Sequence, residues 1–209
     1  MDIDGAIQAL VTLLVTLDPL GLAPIFGALT AGMDRALQRS VAFTAFLIGT
    51  GILFVFAAFG DALLSVLGIE LAAFRVAGGL LLFLIALEMV MERREQRKAD
   101  TAETAMTQDH ATNIAAFPLA FPLLAGPGAI TAVVLLSGRA ETLGDHVTIY
   151  AVTFIGLLAC LLTFLLYAYV DRFLGATGRA VVTRLLGLLL AALAVQYVVD
   201  GALSLIRGS

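Results

Sequence analysis

The chain has 209 residues, 61% hydrophobic and 13% charged, with a mean hydropathy of +1.03. Soluble domains are about 45–50% apolar and about 25% charged, so a water-soluble globule is excluded, as is a disordered chain, which needs low hydrophobicity and high charge. Twelve Lys and Arg against 16 Asp and Glu give a net charge of −4, which offers nucleic acid no basic surface. The single cysteine, Cys160, excludes an internal disulfide framework and a multi-cysteine metal cluster.

A membrane-crossing helix needs about 20 apolar residues, and six segments meet that need. Ile7–Thr30 is apolar except for Asp18 at its middle, and Val41–Gly60 carries no charge. Ile69–Met91 holds Glu70, Arg75 and Glu88 near its ends. Ala111–Gly138 and Val147–Val170 are again charge-free, and Ala180–Ile206 is interrupted only by Arg184 and Asp200. Backbone polar groups must pair internally in lipid, which makes these runs helices; they lack the alternation of barrel strands. The predicted fold class is an all-α polytopic membrane protein with six transmembrane helices. The acidic start, Met1-Asp2-Ile3-Asp4, lacks the positive region of a secretory signal, so the first segment is expected to remain as a span.

The loops after the first, third and fifth spans hold Arg35, Arg39, Arg93, Arg94, Arg97, Lys98, Arg172, Arg179 and Arg184, against Arg75, Arg139 and Arg207 on the other side. The excess marks the cytoplasmic side and puts both termini outside. The longest loop, 92–110, reads as a mobile cytoplasmic linker between a unit at 1–91 and a unit at 111–209.

The two units resemble each other. Pro19 and Pro24 in the first span match Pro122 and Pro127 in the fourth, each pair with four residues between, and Arg75-x-x-Gly78 matches Arg184-x-x-Gly187. Three spans per unit turn the second copy upside down, the inverted-repeat plan of many secondary transporters. Pro in a helix interior removes a hydrogen bond and costs about 3 kcal/mol, so helices 1 and 4 are predicted to break at mid-membrane, over Asp18–Pro24 and Pro122–Gly128. Irregular backbone at that depth is tolerated inside protein or beside a water-filled cavity. On this pairing Asp18 corresponds to Phe121.

The unwound segments therefore form the candidate binding site: Asp18, Pro19, Gly21, Ala23 and Pro24 on one side, Pro122, Gly126, Pro127, Gly128, Ala129 and Thr131 on the other. A half-helix starting near Pro127 presents free amides and a positive dipole end to an anion, with the Thr131 hydroxyl as a further donor. Asp18 is either the counter-charge for a cation, a proton carrier, or the N-cap of the second half-helix with Pro19 at its first position. Arg75 and Arg184 read as interfacial side chains or as paired gates, and Glu88 and Asp200 as solvated anchors or proton relays, with Glu88 also among the gating or structural candidates. His110 and His146 fall in loops, and HExxH, GxSxG, P-loop and CxxC motifs do not occur, so no catalytic group, metal site or resident cofactor is expected.

Three stretches resemble the MarC family of bacterial inner-membrane proteins: Asp18–Phe26 its first-helix motif, Phe74–Met89 its third and Phe117–Thr131 its fourth. The resemblance covers nearly the whole chain. It implies a six-helix inner-membrane protein grouped with small neutral amino acid transporters and, more distantly, with LysE-type exporters. Taken with the residue reading, the expectation is a secondary transporter of glycine, alanine or serine working by alternating access, with a proton or sodium ion as the coupling ion. The partners are a small zwitterionic amino acid and the lipid bilayer, with no nucleic acid; a homo-oligomer is compatible with it. Export of another metabolite or drug, and a non-transporting membrane scaffold, stand as alternatives.

Overall fold

In the computed structural model, residues 1–94, 96–100 and 114–208 are described, and every regular element among them is helical. Asp2 caps α1 (Ile3–Leu17) by accepting from the Gly5 amide. One residue, Asp18, separates α1 from α2 (Pro19–Leu29). Asp34 caps α3 (Arg35–Val66), a tight turn leads to α4 (Leu71–Val90), and residues 93–94 and 96–100 form further helical turns. The second half holds α5 (Ala115–Leu124), α6 (Pro127–Ser137), α7 (Leu143–Leu165) and α8 (Tyr167–Gly208). A capping box sets the start of α7: Thr142 accepts from the Asp145 amide, and Asp145 accepts from the Thr142 amide. His146, expected in a loop, therefore lies in the first turn of a helix; His110 lies outside the described residues.

Five of these helical stretches are long and apolar enough to cross a membrane: Ile3–Leu29, Arg35–Val66, Leu71–Val90, Leu143–Leu165 and Arg172–Arg207. The pair α5 and α6, bent by 56°, makes a sixth if it crosses as one span. The predicted fourth span begins at Ala111, and its residues 111–113 lie outside the described residues. The sixth span is set off by Gly175, whose φ of 59° breaks the long last helix. The segment before that break carries the exposed Tyr169 and Phe173.

The helices alternate in direction. Met1 meets Asp145 at one end and Phe26 stacks on Phe164 at the other, 4.8 Å between rings, so α1–α2 runs parallel to α7. Gly128 lies against Ile85 and Gly138 against Leu71, so α6 opposes α4. Gly49 lies against Leu124 and Gly60 against Val134, so α3 follows α5–α6. The closest seam joins α4 and α8. A Cβ at Gly79 would sit 2.8 Å from the Ala194 carbonyl oxygen, one at Gly187 3.1 Å from that of Ala86, and one at Gly201 2.8 Å from that of Ala72. Small residues at such positions let backbones approach where lipid provides no hydrophobic drive.

The first span sits inside the bundle. Leu13 and Leu17 pack into a core with Phe26, Leu53, Leu119, Leu124 and Phe164, whereas Val15 joins Leu82, Met89, Leu135, Leu190 and Tyr197 on the other side. Large apolar side chains that face outward, among them Leu47, Phe59, Leu84, Leu188 and Leu189, suit contact with lipid.

Candidate functional site

The site is built on the two interruptions of helix. At the first, the predicted unwinding over Asp18–Pro24 shrinks to Asp18 alone, which adopts φ 55°, ψ 64°. Pro19 occupies the first position of α2, where its missing N–H costs nothing. Pro24 stands inside α2 without unwinding it. Hydrogen bonding resumes at once, with the Leu22 amide donating to the Asp18 carbonyl at 3.2 Å. The capping role predicted for Asp18 holds: its Oδ1 accepts from the Gly21 amide at 3.1 Å. A Cβ at Gly21 would fall 2.3 Å from Asp18 Oδ2, so glycine is what lets the carboxylate lie over the helix end.

Asp18 is 1% exposed, and its partners come from the connector after α4. Lys98 Nζ donates to Asp18 Oδ2 at 3.1 Å, and Arg94 Nε stands 3.9 Å from the same oxygen. The side chains of Arg94 and Lys98 are 7% and 8% exposed. Both were expected in a solvated cytoplasmic loop. Four residues apart on helical turns, they instead share one face and reach the break. Arg94 also donates through Nη2 to the Thr16 carbonyl and through Nη1 to Met89 Sδ at 2.9 Å. The last carbonyls of α1 have lost their helical partners and carry the negative dipole end, so a guanidinium is a natural cap. Burial pushes the Lys98 ammonium down to about 8, with Asp18 opposing the shift, and lowers Arg94 from its ordinary value for the same reason.

The second interruption differs. Phe117 and Phe121, each before a proline, are extended within α5, as the clash of a proline ring with the preceding residue demands. The chain then turns at Ala125 and Gly126, where a Cβ would fall 2.3 Å from the Pro122 carbonyl oxygen. Gly126 is the N-cap of α6 and offers no side chain to it; Pro127 again holds the first position.

Between the two breaks lies a cavity of about 160 Å³, lined by Thr16, Arg94, Arg97, Lys98, Pro122, Leu123, Leu124, Gly126, Pro127 and Ala129. Four predicted site residues, Pro122, Gly126, Pro127 and Ala129, thus meet at one place. Asp18 stands behind Lys98. Gly21, Ala23 and Pro24 belong to the continuous α2 and do not line the cavity. Gly128 packs on Ile85 and Thr16, and Thr131, whose methyl lies against Gly78 of α4, does not line the cavity. Arg94, Lys98 and Thr16 escape a reading of spans. The signal for the two cations is a buried acid that demands a partner, but the partner lies 80 positions away.

The remaining charges lie toward the two ends. Arg184 pairs with Glu92 at 2.5 Å, and Glu88 pairs with Arg97 at 2.9 Å. At the opposite end Arg139 pairs with Asp200 at 3.1 Å and lies over the Tyr197 ring, and Arg75 lines a cavity with both partners.

The profile of the MarC family of integral membrane proteins matches residues 4–206. The chain belongs to the MarC family. It is 38% identical over 203 residues to a UPF0056 membrane protein of Aquifex aeolicus, covering 96% of this chain and 94% of the relative. It is 37% identical to UPF0056 membrane protein MJ1677 of Methanocaldococcus jannaschii, over 100% of this chain and 99% of the relative. It is 32% identical to UPF0056 membrane protein YhcE of Escherichia coli, over 94% and 91%. No solved structure matches the chain. This MarC family member is a multi-pass integral membrane protein, and its cavity is lined by residues of the fourth-span motif, by Thr16 just ahead of the first-span motif, and by Arg94, Arg97 and Lys98.

Proposed function

We propose that this MarC family protein is a secondary transporter of small neutral amino acids, of the glycine, alanine and serine class, working by alternating access in the bacterial inner membrane with both termini outside. The observation that carries the reading is the placement of two helix breaks beside one small, charged cavity. Enclosed polar backbone between broken helices is the recurrent form of a transporter site.

The inverted-repeat reading gains support from where the helices begin. Pro19 opens α2 and Pro127 opens α6, 108 positions apart, and both second half-helices are 11 residues long. Arg35 opens α3 and Leu143 opens α7, again 108 apart. This spacing agrees with the 109 between Arg75 and Arg184 and replaces the alignment of Pro19 with Pro122. The counterpart of Asp18 becomes Gly126 rather than Phe121. The alternating helix directions leave the two units opposed, and the ion pairs Arg184–Glu92 and Arg139–Asp200 stand as gates at opposite ends.

In this mechanism the substrate carboxylate meets the first turn of α6, and its ammonium competes with Lys98 for Asp18. The test is uptake of labelled glycine and alanine into proteoliposomes, with and without imposed proton or sodium gradients. Saturable uptake that responds to one gradient is the expected result. Uptake no faster than in empty liposomes would favour export of another solute, or a scaffold role.

A further inference from the structure

We infer that the cavity beside α6 is a carboxylate site held jointly by Arg94, Lys98 and the first-turn amides of α6, and that it accepts a small carboxylate with no amine. The inference deepens the transporter reading and rests on taking this cavity as the binding site.

Charge comes first. Behind the cavity wall Asp18 supplies one negative charge, and Arg94 and Lys98 at the wall supply two positive charges. Arg97 also lines the cavity but is paired with Glu88. Asp18, Arg94 and Lys98 taken together therefore carry one positive charge in excess, and a charge held away from water without a partner is costly. A monoanion removes that cost.

Hydrogen bonding points the same way. Arg94 uses Nη1 on Met89 and Nη2 on Thr16, while its buried Nε has no hydrogen-bond partner among the described residues and lies 3.9 Å from the nearest Asp18 oxygen. The residue is 5% exposed and lines the cavity. Across from it, α6 starts with Gly126 and Pro127, so among the described residues the amides of Gly128 and Ala129 have neither a helical acceptor nor a side-chain cap.

The repeat spacing supplies the third argument. Asp18 and Gly126 are the N-caps of equivalent half-helices. The α2 end carries its own carboxylate, and the α6 end carries a glycine. A ligand carboxylate at α6 would take the place that Asp18 fills at α2. The remaining wall, Pro122, Leu123, Leu124 and Pro127, together with the 160 Å³ volume, fits a short aliphatic substituent.

The test uses the purified full chain in nanodiscs, with acetate and propionate as probes and ethylammonium and chloride as controls, read by calorimetry. Acetate and propionate should bind saturably and more tightly than chloride, and ethylammonium should not bind. Lys98→Gln removes the excess charge and should weaken acetate binding about tenfold or more, the loss of one charge-assisted contact. Asp18→Asn keeps the Oδ1 cap, raises the excess charge and should tighten acetate binding, so it carries the test if Lys98→Gln does not fold. Equal binding of acetate and chloride, or unchanged acetate affinity in a folded variant, would overturn the inference. Amino acid uptake that acetate does not inhibit would sink this site and leave the transporter reading standing. Acetate binding without amino acid uptake would sink the transporter reading and leave this site standing.

Discussion

Lys98 Nζ lies 3.1 Å from Asp18 Oδ2, across 80 positions of chain, with both side chains buried. The contact joins a connector between spans to the interruption of the first span, and it settles what that interruption needs. Arg94 answers the loose Thr16 carbonyl of α1, Asp18 answers the Gly21 amide of α2, and Lys98 answers Asp18.

Removing one member of a buried ion pair strands the other and costs about 3–5 kcal/mol, whereas removing both costs less. Asp18→Asn and Lys98→Met should each destabilise the chain in detergent, and the double variant should be more stable than the sum of the single effects by about 1–3 kcal/mol. Denaturant titration of the four proteins measures this coupling. Additive effects would mean that the pair is not formed.

Stability should also depend on pH through Lys98. Burial holds its folded-state value at about 8, below the ordinary 10.5. Between these values the unfolded chain holds the proton and the folded chain does not, so stability rises with pH across that window. Asp18, Arg94, Arg97 and Cys160 surround the ammonium and are present in both proteins to be compared. Thermal unfolding from pH 7 to pH 10 should show the rise in the native chain and lose it in Lys98→Met. Parallel curves would contradict the burial of this lysine.

The α4–α8 seam gives a prediction about packing alone. Gly79→Val and Gly201→Val place atoms against the Ala194 and Ala72 carbonyls and should each destabilise by about 1–3 kcal/mol or more. Gly51 has nothing within 4 Å of an added Cβ, so Gly51→Ala should stabilise by up to about 1 kcal/mol through helix propensity. Denaturation midpoints distinguish the two classes.

Much of this architecture was legible before the fold was known, because lipid leaves few choices for a long apolar run. The Asp18-Pro19 cap and the proline-disrupted fourth span follow from local rules that no tertiary contact overrides. The extent of the first break was not legible. Pro24 is accommodated within α2, and hydrogen bonding resumes at Leu22. The fate of Arg94 and Lys98 was not legible either. Counting cations per loop treats each as solvated, whereas their burial depends on a carboxylate 80 positions away and on a cavity formed by another span. On the proposed inverted-repeat reading, the helix starts at 19 and 127 suggest a register different from the one that the proline spacing gives.

The most direct test of the central claim compares alanine uptake by the native chain and by Ala129→Val in matched proteoliposomes. Ala129 lines the cavity at the start of α6, and the added methyls occupy the space assigned to the ligand. Saturable uptake by the native chain that is lost in an inserted, folded Ala129→Val protein is the expected result. Equal uptake by both would place the path elsewhere, and native uptake at the rate of empty vesicles would contradict transport of this substrate class.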